Sequence, residues 1–166
     1  MKQLILVRHA KSDWGDPALD DFDRPLNDRG KKDAPEMARR LGKQKIKPDL
    51  LVSSPAKRAA RTAKAFAEEL GIDKKEILFK PELYLAPPSV FFNVVESLSN
   101  KHDTVLLFSH NEGITDFANQ LGVARIDNIP TCGVFAVKAD CKQWASFRDA
   151  GKEFWFFDYP KSLPAH

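Results

Sequence analysis

The chain has 166 residues, 43% of them hydrophobic and 30% charged, a balance typical of a globular protein with a sizeable core. Its formal net charge is +3, from 26 basic and 23 acidic residues. This excess is small and evenly spread, which argues against a protein that binds nucleic acid or an anionic membrane surface. We expect one domain over residues 1–160 and a poorly ordered tail at residues 161–166.

The apolar runs and the cysteines indicate the expected location of the protein. The N-terminal run Leu4–Val7 is too short for the core of a signal peptide, and Arg8 interrupts it. No stretch approaches the roughly 20 apolar residues of a membrane span. Cys132 and Cys141 have neither metal-ligand nor redox spacing, so we predict free thiols, buried or half-buried, in a reducing compartment. The expected location is the cytoplasm.

Predicted strands and helices alternate along the chain. Short apolar segments rich in β-branched residues predict buried strands at Leu4–Val7, Leu50–Ser53, Thr104–Ser109 and Val134–Lys138, with an aromatic candidate strand at Phe154–Tyr159. Apolar residues at three- and four-residue steps predict helices at Lys31–Lys43, Ala56–Leu70, Ser89–Leu98 and Glu112–Gly122. The alternation predicts an α/β fold, a three-layer α/β/α sandwich with a mostly parallel central sheet.

Helix ends and one irregular segment stand out between these elements. Asn27 or Asp28 is a plausible cap for the first helix and Ser89 for the third, while Gly71 is a typical C-terminal residue for the second. The segment Lys11–Arg29 is long, rich in aspartate and has little periodicity. Irregular segments of this length in compact domains are often functional, so this one is a candidate functional loop.

Cationic and imidazole side chains follow three of the predicted strands. Arg8 and His9 come directly after the first strand. Arg58 lies in the helix that follows the second, and His110 comes directly after the third. Because ligands bind outside the carboxyl ends of parallel strands, we expect these four residues to converge on one edge of the sheet.

The residue types at this edge are those of a phosphoryl-transfer site. Arginines bind phosphate through bidentate hydrogen bonds, and a neutral histidine is an established covalent nucleophile. Arginines also stabilise the charge that the transition state spreads over three oxygens. The sequence has no Asp cluster for Mg²⁺ and no Gly-rich loop ending in Gly-Lys-Ser/Thr, so we expect neither a metal nor a cofactor. The alternatives are a surface role for His9 and a core role for His110.

Five landmarks carry a resemblance to a known family: LVRHAKS, RPLNDRG, SSPAKRAARTA, PELYLA and SHNEGI, in this order. Together they resemble the histidine phosphatase superfamily, which includes the cofactor-dependent phosphoglycerate mutases, and most closely its SixA-type phosphohistidine phosphatases. The resemblance covers about residues 2–138 and implies a phosphoglycerate mutase-like fold. It also implies that His9 is the nucleophile that becomes phosphohistidine. Arg8, Arg58 and His110 would form the phosphate pocket, and Ala10 stands where the family has glycine.

The resemblance leaves the general acid open. Larger relatives protonate the leaving oxygen with a carboxylate. Glu82, in KPELYLAP, is the candidate here, with Asp13 as a second candidate and a structural role for Glu82 as the alternative. A SixA-type enzyme could work without an acid, because the imidazole of a phosphoramidate leaves easily once it is protonated.

Other polar residues near the landmarks have two possible roles each. Arg24 and Asn27 either bind substrate in the pocket or only cap the following helix. Arg61 lies three residues beyond Arg58 and could replace it as the phosphate ligand, although the family spacing favours Arg58. Asn111 either binds phosphate or orients its loop.

Three functions are compatible with the sequence. The favoured one is a metal-independent phosphatase that acts through phospho-His9 on phosphohistidine in a protein, since 166 residues leave little room for a lid over the site. The second is a phosphomonoesterase acting on a small molecule such as a sugar or nucleotide phosphate. The third is a non-catalytic module that binds phosphate or a phosphoprotein. All three predict a site that accepts a phosphate or sulfate ion.

Overall fold

The computed structural model describes residues 1–162 and contains one six-stranded sheet. Its strands are β1 (Lys2–Arg8), β2 (Leu50–Ser53), β3 (Leu78–Phe79), β4 (Thr104–Ser109), β5 (Val134–Ala139) and β6 (Lys152–Asp158). They lie in the order β3-β2-β4-β1-β5-β6. The first four of these are parallel neighbours, whereas β5 is antiparallel to β1 and to β6. The predicted tail beyond Ser162 lies outside the described residues.

Four α-helices cover the two faces of this sheet. They are α1 (Asp28–Lys43), α2 (Lys57–Leu70), α3 (Pro88–Glu96) and α4 (Gly113–Gln120). Alternate residues of β1 belong to opposite cores: Leu4 and Leu6 pack with α3 and α4, and Ile5 and Val7 pack with α1 and α2. All four side chains are fully buried, as expected for a strand covered on both faces. The α/β/α sandwich with a mostly parallel sheet is confirmed.

Most predicted elements occur with shifted ends, and one cap is wrong. Asn27 caps α1, because its side chain accepts a hydrogen bond from the Gly30 N–H at 2.8 Å. Gly71 ends α2 in the left-handed conformation, with a φ of 72°. Ser89 does not cap α3, since that helix begins at Pro88. Proline suits the first helical position because it has no N–H to satisfy and a fixed φ.

The structure also shows the state of the two cysteines and whether any helix could span a membrane. Cys132 and Cys141 are free and buried, as the sequence predicts. Burial raises the pKa of the Cys132 thiol, which keeps it protonated. Across residues 1–162, none of the helices has the length and apolar character that crossing a membrane requires.

Gly30 lets α1 begin against the backbone that follows the first strand. A Cβ atom on Gly30 would lie 2.2 Å from the carbonyl oxygen of Lys11. The same oxygen accepts a hydrogen bond from the Asn27 N–H at 3.0 Å. The helix start and the segment after His9 are therefore in direct contact, with no room for a side chain.

Gly30→Ala is expected to lower the free energy of unfolding by about 3 kcal/mol, because the new methyl group overlaps a backbone oxygen and forces the two segments apart. Urea denaturation measures the change. The matched control is Gly42→Ala in the same helix, where the nearest atom to a new Cβ is 3.7 Å away. That control should raise the free energy by about 0.5–1 kcal/mol. Equal stability of the two variants would show that the contact at Lys11 is not restrictive.

Candidate active site

The carboxyl ends of β1, β4 and β2, which are neighbours in the sheet, bring the predicted phosphate-binding residues together. Arg8 ends β1 and His9 follows it, while His110 follows β4. The ring centroids of the two histidines are 5.2 Å apart. Arg58, in the first turn of α2, places its Nε atom 3.3 Å from His9 Nε2. The four residues therefore form one cluster.

His9 has a defined tautomer and a free ring nitrogen. Its Nδ1 lies 2.7 Å from the carbonyl oxygen of Ala10, and because a carbonyl can only accept, Nδ1 carries the proton. The Nε2 lone pair consequently faces the Arg58 Nε–H. Burial lowers the pKa of His9 to about 3, and the nearby charges of Arg58 and Arg8 act in the same direction. The ring is neutral at neutral pH, as a nitrogen nucleophile requires.

The His9 backbone is fixed from two sides. Its N–H donates to the carbonyl of Ser109 in β4 at 3.1 Å. Its carbonyl accepts from the Cys132 N–H at 3.0 Å, and the Arg8 carbonyl accepts from the same group at 3.0 Å. The backbone of His9 therefore has little freedom to move.

His110 and Arg8 both line the site and contain buried polar atoms. His110 Nε2 is hydrogen-bonded to the Ser54 hydroxyl at 2.8 Å. Burial lowers the pKa of His110 to about 3, with further lowering from His9 and Arg58. Its Nδ1 and the Nε of Arg8 are buried without a hydrogen-bond partner in residues 1–162. Such groups are costly when unpaired, so an oxyanion that bonded to them would be stabilised.

Asp21 connects the cationic side chains of the site. Its carboxylate accepts hydrogen bonds from Arg58 Nη2 at 3.0 Å, from Arg24 Nη2 at 3.0 Å and from the Tyr84 hydroxyl at 2.6 Å. Its backbone carbonyl also accepts from Arg58 Nη1 at 2.6 Å. Partial burial would raise the pKa of Asp21, but the bonds from Tyr84, Arg24 and Arg58 outweigh it and hold the pKa below its ordinary value. Asp21 is therefore ionised at neutral pH.

A cavity of about 470 Å³ opens over His9. It is lined by Arg8, His9, Lys11, Ser12, Trp14, Asp21, Arg24, Asn27, Arg58, Leu85, His110, Asn111 and Thr131. Six of these belong to the candidate functional loop, which ends at Asn27 because Asp28 and Arg29 are already in α1. No local sequence pattern marks Asp21 or Tyr84, and the aspartate-rich composition of the loop was the available signal.

The structure shows where the polar residues with two possible roles lie. Arg24 lines the cavity and stacks under the exposed ring of Trp14, 3.5 Å from its centroid. Asn27 lines the cavity and also caps α1, so its capping role does not remove it from the pocket. Asn111 lines the cavity too, and its side-chain oxygen accepts from the Thr115 hydroxyl at 2.6 Å.

Three other candidates are not brought to the cavity. Glu82 is exposed on the short turn that holds the buried Leu83, so the position of Glu82 does not fit the predicted general acid. The Asp13 carboxylate instead accepts a hydrogen bond from the Gly15 N–H at 2.7 Å. Arg61 lines a separate groove between α1 and α2, which leaves Arg58 as the arginine of that helix beside His9.

The two buried histidines should make the protein sensitive to acid. In the native state both have pKa values of about 3, but in the unfolded chain they take up protons below about pH 6.5. Because the unfolded state then binds more protons, the free energy of unfolding should fall as the pH decreases from 6.5 towards 4. Each histidine contributes about 1.4 kcal/mol per pH unit. Urea unfolding in phosphate-free buffers measures how steeply the free energy of unfolding depends on pH. His110→Asn should halve this dependence. A free energy of unfolding that does not change over this pH range would contradict the burial of both histidines in their neutral form.

Known proteins resemble this chain in sequence and in structure. A model of the histidine phosphatase superfamily (branch 1) matches residues 4–83. An uncharacterized chloroplastic protein of Arabidopsis thaliana is 30% identical over 151 residues, which cover 86% of this chain and 69% of that protein. Phosphoserine phosphatase 1 of Hydrogenobacter thermophilus is 39% identical over 75 residues, or 44% of this chain and 35% of that protein.

A crystal structure from Agrobacterium tumefaciens, assigned to the phosphohistidine phosphatase SixA, aligns with a TM-score of 0.79 and 25% identity. The alignment covers 96% of this chain and 99% of the Agrobacterium chain. The sequence match contains Arg8, His9 and Arg58, and the structural match extends over both layers of helices. The chain therefore belongs to the histidine phosphatase superfamily and is a phosphatase enzyme with the phosphoglycerate mutase-like fold of that family.

Proposed function

We propose that this phosphatase removes phosphate from phosphohistidine on a protein, through a phospho-His9 intermediate and without a metal ion. Support comes first from the state of His9, which lines the cavity, is neutral and has an unprotonated Nε2 that faces Arg58. Support also comes from the three arginines that line the cavity, Arg8, Arg24 and Arg58, because their fixed charge can neutralise a phosphate dianion.

The reaction proceeds in two displacements on phosphorus. In the first, the phosphoryl group replaces the Arg58 N–H in front of His9, and Nε2 attacks phosphorus as the bond to the leaving nitrogen breaks. The bond electrons go to the leaving imidazole, which keeps the proton on its other nitrogen. In the second, water attacks phospho-His9 and the bond electrons return to Nε2. The water becomes the new hydroxyl of phosphate, and its other proton passes to a phosphate oxygen or to solvent. Arg8, Arg58 and His110 hold the equatorial oxygens in both steps.

The observation that carries the choice of substrate is the ionised state of Asp21. Among the described residues that line the cavity, Asp21 is the only carboxylate, and three hydrogen bonds keep it deprotonated. An alkoxide leaving group needs a proton from such an acid as its bond to phosphorus breaks. A phosphohistidine does not, because the ring can be protonated by solvent before it leaves as neutral imidazole.

The rim of the cavity favours a macromolecular substrate. Trp14 and Leu85 line the cavity and remain 77% and 55% exposed. Exposed apolar side chains at the mouth of a site offer contact area to another protein, because binding buries them. A histidine on a protein surface could therefore reach His9 while its surroundings rest on these two residues.

The second candidate is hydrolysis of a small phosphate ester. A 75-residue stretch of this chain that is 39% identical to a phosphoserine phosphatase favours it. The cavity volume of about 470 Å³ is also sufficient for a small ester. Esters with good leaving groups should be hydrolysed even without a general acid, whereas alkyl esters should be hydrolysed slowly.

A substrate panel separates the two candidates. We expect kcat/KM for a phosphohistidine peptide to exceed that for phosphoserine and sugar phosphates by at least about a hundredfold, the usual contribution of a general acid that the esters lack here. The activated ester p-nitrophenyl phosphate should lie between them, and EDTA should change none of the rates. Phosphoserine hydrolysed faster than phosphohistidine would refute the proposal, as would loss of activity in EDTA.

A further inference from the structure

A second cavity, of about 400 Å³, lies between α1 and α2. Three cations, Lys31, Lys57 and Arg61, line it together with the apolar residues Leu26 and Ala34. Leu26 and Ala34 are buried, and the three cations are exposed. We call the surface formed by these five residues, together with Pro25 and Ala65, the α1–α2 groove.

The α1–α2 groove shares a wall with the active-site cavity. Arg24 and Asn27 line the active-site cavity, whereas Pro25–Leu26 between them lines the groove. In the same way Lys57 lines the groove and the next residue, Arg58, lines the active-site cavity. A chain segment bound in the groove would therefore lie directly beside a phosphorylated residue bound at His9.

The cations of the groove do not serve the fold. Within residues 1–162, no carboxylate lies at ion-pair distance from Lys31, Lys57 or Arg61. Farther along the same two helices, Arg39 of α1 is paired with Glu69 of α2 at 3.1 Å. Lys57 also occupies the first turn of α2, where a cation is unfavourable with respect to the helix dipole. The groove thus gathers three cations without an ion-pair partner at the end of the helix pair that adjoins the active site.

We propose that the α1–α2 groove binds an acidic segment of the protein substrate, next to its phosphohistidine; this rests on the proposed function. Carboxylates of the segment pair with the three cations, and its aliphatic side chains cover Leu26 and Ala34. A peptide is favoured over a single-stranded nucleic acid because none of the residues that the structure places in the groove is aromatic, and stacking on aromatic rings supplies much of the binding energy for such strands. The groove would select among phosphoproteins by charge.

Three substrates test this selection: free phosphohistidine, a phosphohistidine peptide flanked by Glu and Leu, and the same peptide flanked by Lys and Leu. The wild-type protein should hydrolyse the Glu-flanked peptide with a kcat/KM about tenfold above that of the Lys-flanked peptide. The difference should shrink as salt is added, because exposed charges are screened.

A double charge reversal provides the decisive comparison. Lys31→Glu with Arg61→Glu should reverse the preference between the flanked peptides and leave the hydrolysis of free phosphohistidine within about twofold. The matched control is Lys101→Glu with Lys142→Glu. It makes the same change in net charge at the opposite edge of the sheet, before β4 and after β5, and should keep the wild-type preference.

Equal wild-type rates on the two flanked peptides would overturn the groove proposal, as would an equal effect of the control variant. If phosphohistidine is not hydrolysed at all while p-nitrophenyl phosphate is, the proposed function fails separately. Fluorescence anisotropy with the unphosphorylated Glu-flanked peptide then tests the groove alone: weaker binding in the Lys31→Glu, Arg61→Glu variant than in the control variant supports it. Tighter binding of a single-stranded oligonucleotide, lost in the same variant, would assign the groove to nucleic acid and overturn the proposal.

Discussion

Replacing His9 by Ala is expected to lower kcat for a phosphohistidine peptide on the order of 10⁴-fold or more, because removal of a covalent nucleophile leaves only binding and electrostatic stabilisation. The proposed phosphate-binding residues Arg8, Arg58 and His110 remain, so KM should change by less than about tenfold. Phosphate release in the presence of EDTA measures both constants.

The stability of the His9→Ala variant separates chemistry from folding. The substitution removes a buried ring that is neutral in the native state, so the variant should depend less on pH between 6.5 and 4 than the wild type. A folded variant that retains more than about a tenth of the wild-type kcat would exclude His9 as the nucleophile.

Arg58→Ala is expected to lower kcat/KM by about 10³-fold, which is typical for the loss of a preorganised group that stabilises transition-state charge. Arg58 is 2% exposed and reaches both His9 Nε2 and the carboxylate of Asp21 with different nitrogens of one guanidinium. Lysine offers a single charged nitrogen and cannot make both contacts. In kcat/KM, Arg58→Lys should therefore recover no more than about a tenth of the activity that Arg58→Ala loses.

The control for Arg58 is Lys64→Ala, which removes an exposed cation from the same helix. It should leave kcat/KM within about twofold of the wild type, since exposed charges away from the site contribute little. A similar loss in both variants would mean that α2 acts through its overall charge, and full activity of Arg58→Lys would contradict the need for the guanidinium.

The fold was largely predictable because its strands are short and apolar and because they alternate with amphipathic helices. Leu4–Val7 is continuous in hydrophobicity, and its residues do pack into two different cores. The direction of β5 was not predictable, since a buried apolar strand has the same hydrophobic pattern whether it is parallel or antiparallel to its neighbour. The two-residue strand β3 is too short to produce a periodic pattern.

The cluster at the strand ends was predictable because parallel strands deliver their following residues to one edge. Arg8, His9, Arg58 and His110 meet there for that reason. Asp21 could not be identified, because the conformation of an irregular loop depends on long-range contacts such as the hydrogen bond that the Tyr84 hydroxyl donates to Asp21. The position of Glu82 was not predictable for the same reason: its neighbour Leu83 is buried, and Glu82 lies on the surface.

The most direct test of the account is to trap the phosphorylated enzyme. The protein is mixed with a phosphohistidine peptide that carries radiolabelled phosphate, quenched rapidly in alkali, digested and mapped by mass spectrometry. The account predicts a label that is stable in alkali, labile in acid and confined to the peptide containing His9, with none in the His9→Ala variant. Turnover without labelled enzyme under these conditions, or a label on a different residue, would contradict it.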